Sequence, residues 1–191
     1  MKLQSLLTSL LASAALATPV RRDVDFDLYT LKISTNHPAL DGLYLGPIPA
    51  PGGGAKNATA GLALGVVPGT QAQSGIIVYP VASEDPGLTA LHTIDGGAVL
   101  VAGRHGVLDL AAFYGDPASA PVPEGVTIDW DSFQLVEEGA EVLFANAKGR
   151  WVAFPSYDGT SGWRVTFKET TAFSTTDYVP VSVVYESIRW D

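Results

Sequence analysis

Short apolar runs rich in Val, Ile, Leu, Tyr and Phe follow one another along the chain, and clusters of Gly, Pro, Asp and Asn separate them. In several runs polar and apolar residues alternate, as in Arg164, Lys168 against Val165, Phe167, which is the period of a half-buried strand. No segment needs a helix of normal length. The pattern predicts thirteen strands, at Phe26–Ser34, Leu43–Gly46, Leu62–Val67, Ile76–Val81, Leu91–Ile94, Ala98–Ala102, Val107–Ala111, Val126–Asp129, Phe133–Val136, Glu141–Asn146, Arg150–Phe154, Trp163–Lys168 and Tyr178–Ser187.

A weak internal repeat bears on how these strands are arranged. Residues 94–102 resemble residues 136–145, and each stretch is followed by a second run that begins at Gly106 or Gly149. A fainter third copy spans 40–45 and 61–64. Three hairpin units of this kind favour a β-trefoil, and an irregular barrel or a sandwich is the alternative. We therefore expect a single all-β domain of short antiparallel strands over residues 23–191.

The start of the chain has the three-part form of a secretory signal. Lys2 precedes an apolar run from Leu6 to Leu16, and the small residue Ala17 predicts cleavage after position 17. The run is too short to span a bilayer, so no membrane anchor is expected. A dibasic pair ending at Arg22 indicates that residues 18–22 form a propeptide. We expect the mature protein to be secreted, extracellular or associated with a cell wall.

Composition and charge restrict the partners and the covalent modifications that are expected. The 191 residues carry a formal net charge of -9, and removal of three basic residues with the first 22 positions lowers it to -12. Nucleic acid, which is a polyanion, is therefore excluded as an expected partner. The chain has no Cys, so disulfides are impossible. Asn57 begins the one Asn-X-Ser/Thr triplet and is the expected glycosylation site.

No cofactor or metal is predicted from the sequence. The three histidines, His37, His92 and His105, lie in separate segments without metal-ligand spacing. Ser161 is the nearest candidate for a serine nucleophile, but it lies in a Gly-rich stretch typical of a hairpin turn. No histidine is identified that could act as its base. A carboxylate-dependent hydrolase remains an alternative, because glycosidases use paired acids. Its candidate residues are Asp129, Asp131, Glu137 and Glu141.

Large aromatic residues provide the main binding signal. Trp151 and Trp163 bracket a loop that contains Tyr157 and Asp158. A sugar ring can lie on an aromatic face while polar neighbours bind its hydroxyl groups, so these four residues are candidate ligand contacts. The alternative interpretation is that Trp151 and Trp163 belong to the core of an antiparallel pair, with Tyr157 as the more exposed aromatic.

The dibasic Pro19–Arg22, the strand Tyr29–Ser34 leading to Leu43–Leu45, and the later segments Phe133–Leu135, Trp151–Phe154 and Gly162–Val165 form a layout that resembles small secreted proteins of filamentous fungi. The group that this layout resembles includes the phialide-associated cell-wall protein. This resemblance implies a secreted or wall-associated protein without established catalytic residues.

These observations lead to three hypotheses about function. The first is a non-enzymatic extracellular protein of the fungal wall or host interface that binds a polysaccharide or an extracellular protein through its loops. The second is the carboxylate-dependent hydrolase. The third is a trefoil-type protease inhibitor that inserts an exposed loop, such as residues 47–56 or 157–161, into an enzyme cleft. The sequence does not predict an oligomeric state.

Overall fold

The computed structural model describes residues 27–48, 62–66, 75–155 and 162–188. These residues form fourteen strands and one 3-10 turn at Pro117–Ser119. The strands are β1 (Tyr29–Ser34), β2 (Gly46–Pro47), β3 (Leu62–Val66), β4 (Ile77–Ala82), β5 (Thr89–Thr93), β6 (Gly97–Arg104), β7 (Val107–Tyr114), β8 (Thr127–Asp129), β9 (Phe133–Gln134), β10 (Leu143–Phe144), β11 (Gly149–Pro155), β12 (Trp163–Glu169), β13 (Val179–Pro180) and β14 (Ser182–Ser187).

All fourteen strands belong to one antiparallel sheet. Its main path runs β13, β11, β12, β3, β7, β6, β5, β4, β1, β14. Of the four remaining strands, β2, β8 and β9 pair with members of this path, and β10 pairs with β9. The two ends of the path are consecutive in the chain, because β13 pairs with β11 while β14 pairs with β1. We call residues 179–187 the closing segment. It joins the two edges of the sheet, so the sheet is a nearly closed, irregular barrel.

The alternation of side chains explains why these segments are strands with one face buried. In β12, Val165 and Phe167 belong to the barrel core, while Arg164 and Lys168 lie on the outer face. The core extends around the barrel from Leu31 and Ile33 on β1. Burial of such apolar side chains is the main favourable term in folding.

The β6–β7 hairpin shows how local sequence sets a turn. His105 has φ 54° and Gly106 has φ 72°, and they separate strands that pair from Arg104 with Val107 onward. Two consecutive residues with positive φ are the hallmark of the type I′ turn, whose twist matches that of the flanking strands. His105 is therefore an exposed residue of a tight hairpin turn.

Part of the outer face of the sheet is also covered. Leu100, Ala102 and Ala111 on β6 and β7 form a second buried cluster, against which Ile128 and Trp130 pack. Because β6 is buried on both faces, its sequence is apolar almost without interruption rather than alternating. β6 is therefore packed on both faces, against the barrel core on one side and against the second cluster on the other.

The structure confirms the all-β class and agrees with the irregular-barrel alternative, whereas it does not confirm a trefoil. The weak repeat shows why. Its first copy folds as the β6–β7 hairpin, but in the second copy β10 pairs with β9 and β11 pairs with β12. Two stretches of similar sequence thus take different partners. The predicted strand at Tyr178–Ser187 divides at Val181 into β13 and β14.

Candidate functional site

An open groove lies where the closing segment meets the loop that follows β1. It has a volume of about 720 Å³. We call it the seam groove, and it is lined by Ser34, Thr35, Asn36, His37, Asp41, Val179, Pro180, Val181 and Ser182. Its two walls are distant in sequence and meet because β14 pairs with β1 along the whole of both strands.

The loop after β1 is fixed by its own hydrogen bonds. The backbone N–H groups of Leu40 and Asp41 donate to the His37 carbonyl oxygen, at 2.9 and 3.1 Å. The N–H of Gly42, whose φ is 74°, donates to the Ile33 carbonyl oxygen at 2.9 Å. The Leu40 side chain is buried in the core and anchors the loop to the barrel. The main chain of this wall of the groove is therefore held in place.

Thr35 connects the two walls of the groove. Its hydroxyl group donates to the Pro180 carbonyl oxygen at 2.9 Å and accepts from the N–H of His37 at 3.3 Å. The N–H of Thr35 donates to Oδ1 of Asp41 at 3.0 Å. One Asp41 oxygen is thus used to shape the loop, and the carboxylate remains solvent-exposed at the groove.

His37 links the groove to the interior of the barrel. Its ring lies 5.9 Å from that of Trp163, centroid to centroid, with an interplanar angle of 55°. Trp163 is half-buried and packs against the core. Nδ1 of His37 is enclosed and has no hydrogen-bond partner among the described residues. An aromatic pair therefore stands beside the polar lining of the groove.

The two tryptophans singled out from the sequence differ in position. Trp163 begins β12 and reaches the seam groove through His37. Trp151 is 1% exposed, and its indole Nε1–H donates to the Val142 carbonyl oxygen at 2.6 Å. Its ring meets that of Phe167 edge-on at 5.2 Å. In this structure Trp151 presents no face to a ligand, as expected for a core residue of the antiparallel pair.

Several predicted positions lie outside the described residues. They are Ala17, Arg22, Asn57, Tyr157, Asp158 and Ser161. The connection that contains Tyr157 and Asp158 runs from Pro155 to Trp163. Pro155 and Trp163 are paired with each other at the ends of β11 and β12. The connection therefore starts and finishes at the end of β12 that contacts His37.

The candidate carboxylates are placed in different settings. Asp129 is buried at the end of β8 and accepts from the N–H of Asp131 at 3.3 Å. It also accepts from the N–H and hydroxyl groups of Ser132, at 3.2 and 2.9 Å, and from the Asn146 amide. Glu141 forms an isolated bridge with Val184. The Asp129 carboxylate is thus occupied in closing a turn, the use that an Asx turn makes of this residue type.

Sequence reasoning missed most of the groove. Thr35, Asn36 and Ser182 carry no recognisable motif, and their proximity depends on pairing between the two ends of the barrel. The sequence Asn36-His37-Pro38, followed by Asp41-Gly42, does mark a tight turn. It gives no indication of what that turn faces.

No family model, curated protein or solved structure matches this chain. In the described ranges no group of three or more His, Asp or Glu residues is arranged to hold a metal ion. Among the same residues, no helix has the length and hydropathy required to cross a membrane.

Proposed function

We propose that this protein is a non-enzymatic extracellular protein, associated with a fungal wall or a host surface, that binds a polysaccharide in the seam groove. The observation that carries the proposal is the juxtaposition of a polar groove with the His37–Trp163 aromatic pair. Carbohydrate sites combine these two elements, since a sugar presents both hydroxyl groups and an apolar ring face.

The chemistry of the lining supports a sugar as the ligand. Ser34, Asn36 and Ser182 provide hydroxyl and amide groups, which both donate and accept hydrogen bonds. The volume of about 720 Å³ is within the usual range for small-ligand sites. A groove that is open rather than enclosed suits a chain of sugars that extends beyond the site.

The distribution of acids favours binding over hydrolysis. Of the groove-lining residues in the described part of the chain, Asp41 alone carries a carboxylate. Glycosidases of the common type use two carboxyl groups on either side of the scissile bond. Asp129, the buried member of the other acidic group, is already hydrogen-bonded by three residues.

The net charge favours an uncharged polymer. A chain with a formal net charge of -9 repels anionic polysaccharides at long range. Binding by hydrogen bonds and stacking to a neutral polymer depends little on salt, whereas attraction to a charged polymer weakens as salt screens it. Salt dependence therefore distinguishes the two kinds of ligand.

The test is retention of the purified protein on insoluble chitin, β-glucan and cellulose at two salt concentrations. We expect salt-resistant retention on at least one polymer, and loss of that retention in His37→Ala. The matched control is His92→Ala, because His92 is also half-buried and also stacks on a ring, that of Tyr79 at 5.7 Å. Tyr157→Ala tests the neighbouring connection between β11 and β12 in the same assay.

Two results contradict the proposal. One is the absence of retention on all three polymers. The other is retention that His37→Ala and Asn36→Ala both leave unchanged while the variants remain folded.

A further inference from the structure

The segment between β12 and β13 contains a solvent-exposed phenylalanine. Phe173 is 84% exposed, more than any other large hydrophobic side chain among the described residues. We call residues 170–178 the Phe173 loop. Large side chains that fill a pocket on the partner carry much of the binding energy of protein interfaces.

Hydrogen bonds fix the loop on the N-terminal side of Phe173. The N–H and hydroxyl groups of Thr170 both donate to the Lys148 carbonyl oxygen, at 2.9 and 3.0 Å. The N–H of Ala172 donates to the Glu169 carbonyl oxygen at 3.0 Å, and the Lys168 ammonium group donates to the Ala172 carbonyl oxygen. The residue before Phe173 is therefore tied directly to β12.

On the C-terminal side of Phe173, a local turn and an aromatic contact shape the loop. The hydroxyl group of Ser174 accepts from the N–H of Thr176 and donates to its carbonyl oxygen, each at 3.2 Å. Tyr178 then packs edge-on against Phe154, with ring centroids 5.6 Å apart. Both flanks of Phe173 are thus held by the barrel or by a local turn.

Phe173 itself remains available for contact. Within the described ranges, no residue hydrogen-bonds to its N–H or carbonyl group. Its neighbours Ala172, Ser174 and Thr175 are small, so they leave the main chain accessible. The loop therefore presents an aromatic side chain together with the N–H and carbonyl groups of the same residue, which have no hydrogen-bond partner among the described residues.

We propose that the Phe173 loop binds, in the manner of a substrate, to a secreted serine protease whose specificity pocket is an apolar slot for aromatic side chains. Such an enzyme recognises a side chain in its pocket and an accessible main chain beside it, which are the two features that the loop offers. Preorganisation strengthens binding because little conformational freedom is lost. The bracing also opposes the movement that separates the two ends of a cleaved bond, so the complex is inhibitory and non-covalent.

This inference is independent of the polysaccharide proposal and concerns a different part of the surface. It also differs from the loops that the sequence suggested for inhibition, most of whose residues lie outside the described ranges. The bracing hydrogen bonds serve here in the role that disulfides serve in many small secreted inhibitors, and this chain has no Cys.

The experiment measures inhibition of chymotrypsin and of trypsin by the purified protein. We expect inhibition of chymotrypsin, weakened at least about 30-fold in Phe173→Ala because the anchoring side chain is removed. Phe173→Lys is expected to transfer inhibition from chymotrypsin to trypsin, since the trypsin pocket selects a basic side chain. A gain of trypsin inhibition cannot result from unfolding. Val136→Ala, at another exposed apolar position, is the control and leaves inhibition unchanged.

Three results overturn the inference: no inhibition of chymotrypsin by the folded protein, inhibition that persists in Phe173→Ala, or rapid cleavage after Phe173 as in an ordinary substrate. Retention on polysaccharide in the Phe173 variants reports separately on the seam groove.

Discussion

The indole of Trp151 combines a large buried surface with a hydrogen bond to the Val142 carbonyl oxygen. Trp151→Phe removes the donor, leaves that carbonyl group unpaired and opens a gap beside Phe167. We expect the free energy of unfolding to fall by about 2–3 kcal/mol. The measurement is urea denaturation followed by circular dichroism. The control, Trp130→Phe, changes a half-buried ring on the outer face, and an equal loss in both variants contradicts this role for Trp151.

Asp129 is a structural acid in this account. Asp129→Ala removes the acceptor of the residue-131 N–H and of the Ser132 N–H and hydroxyl groups, and it leaves the Asn146 amide with Ser132 Oγ as its remaining acceptor. Because hydrogen bonds to charged groups are among the stronger ones, we expect a loss of about 2–3 kcal/mol in the free energy of unfolding. Asp131→Ala, which keeps the Asp131 N–H donor, is the matched control in thermal unfolding. A fully stable Asp129→Ala protein refutes the structural role.

Two tyrosines on β1 and β14 are expected to make the free energy of unfolding sensitive to alkaline pH. Their rings meet edge-on at 5.2 Å. Burial raises the pKa of Tyr185 above its ordinary value of 10.0, and the nearby Tyr29, Glu138 and Glu137 raise it further. Burial likewise raises the pKa of Tyr29, with contributions from Asp27 and Glu138.

The sign of the effect follows from linkage. Above pH 10 the unfolded chain releases the tyrosine protons while the folded chain retains them, so rising pH favours unfolding. The contribution is fully present below pH 10 and is lost as pH rises through the raised pKa values. We expect the doubly substituted Tyr29→Phe, Tyr185→Phe protein to lose less stability than the parent between about pH 9 and about pH 11.5. Parallel curves in urea denaturation across that range contradict the assignment.

At the scale of single residues, the sequence predicted types of environment better than contacts. Alternation in β11 and β12 allowed Trp151 and Trp163 to be core residues, and both pack on the core. Nothing local indicates that Trp163 also meets His37, because that contact depends on the loop after β1. The exposure of Phe173 likewise depends on the hydrogen bonds that attach the loop between β12 and β13 to the barrel.

At the scale of elements, β3 contains a glycine that the packing requires. A Cβ atom at Gly65 would collide with the Trp163 carbonyl group on β12. We expect Gly65→Ala to lower the free energy of unfolding by about 3 kcal/mol, because backbone must shift to accommodate the methyl group. The control is Gly87→Ala, where φ is 83° and nothing lies within 4 Å.

The control separates crowding from backbone strain. Gly87→Ala carries only the strain of a positive φ, which amounts to about 1 kcal/mol. Chemical denaturation of the two variants gives the comparison. A cost at Gly65 no larger than that at Gly87 shows that β3 and β12 are not packed as closely as described.

The positions of strands were more predictable than their pairing. The period of two and the Gly, Pro, Asp and Asn clusters are local signals, and each of the thirteen predicted segments coincides with at least part of a strand. Pairing partners are set by the whole sheet. The repeat in 136–145 therefore pointed to a second hairpin, whereas β10 consists of Leu143–Phe144 and pairs with β9.

At the scale of the whole molecule, closure of the barrel creates the candidate site. The hydrogen bond from Thr35 to Pro180 joins residues 145 positions apart. The closing segment pairs with a strand at each edge of the sheet: Pro180 is paired with Val152, and Ser187 is paired with Tyr29. A pattern read along the chain does not contain this connection, so the groove was not predictable from the sequence even though the all-β class was.

The most direct test of polysaccharide binding in the seam groove is a titration of the ¹⁵N-labelled protein with soluble oligosaccharides of the polymer that retains it, followed by ¹H–¹⁵N correlation spectra. We expect the largest shift changes at the backbone N–H groups of residues 34–37, 41, 179, 181 and 182 and at the Trp163 indole. His105 and Gly106, at the end of β6 away from the groove, are expected to keep their positions. Changes that avoid the groove and cluster elsewhere contradict the account.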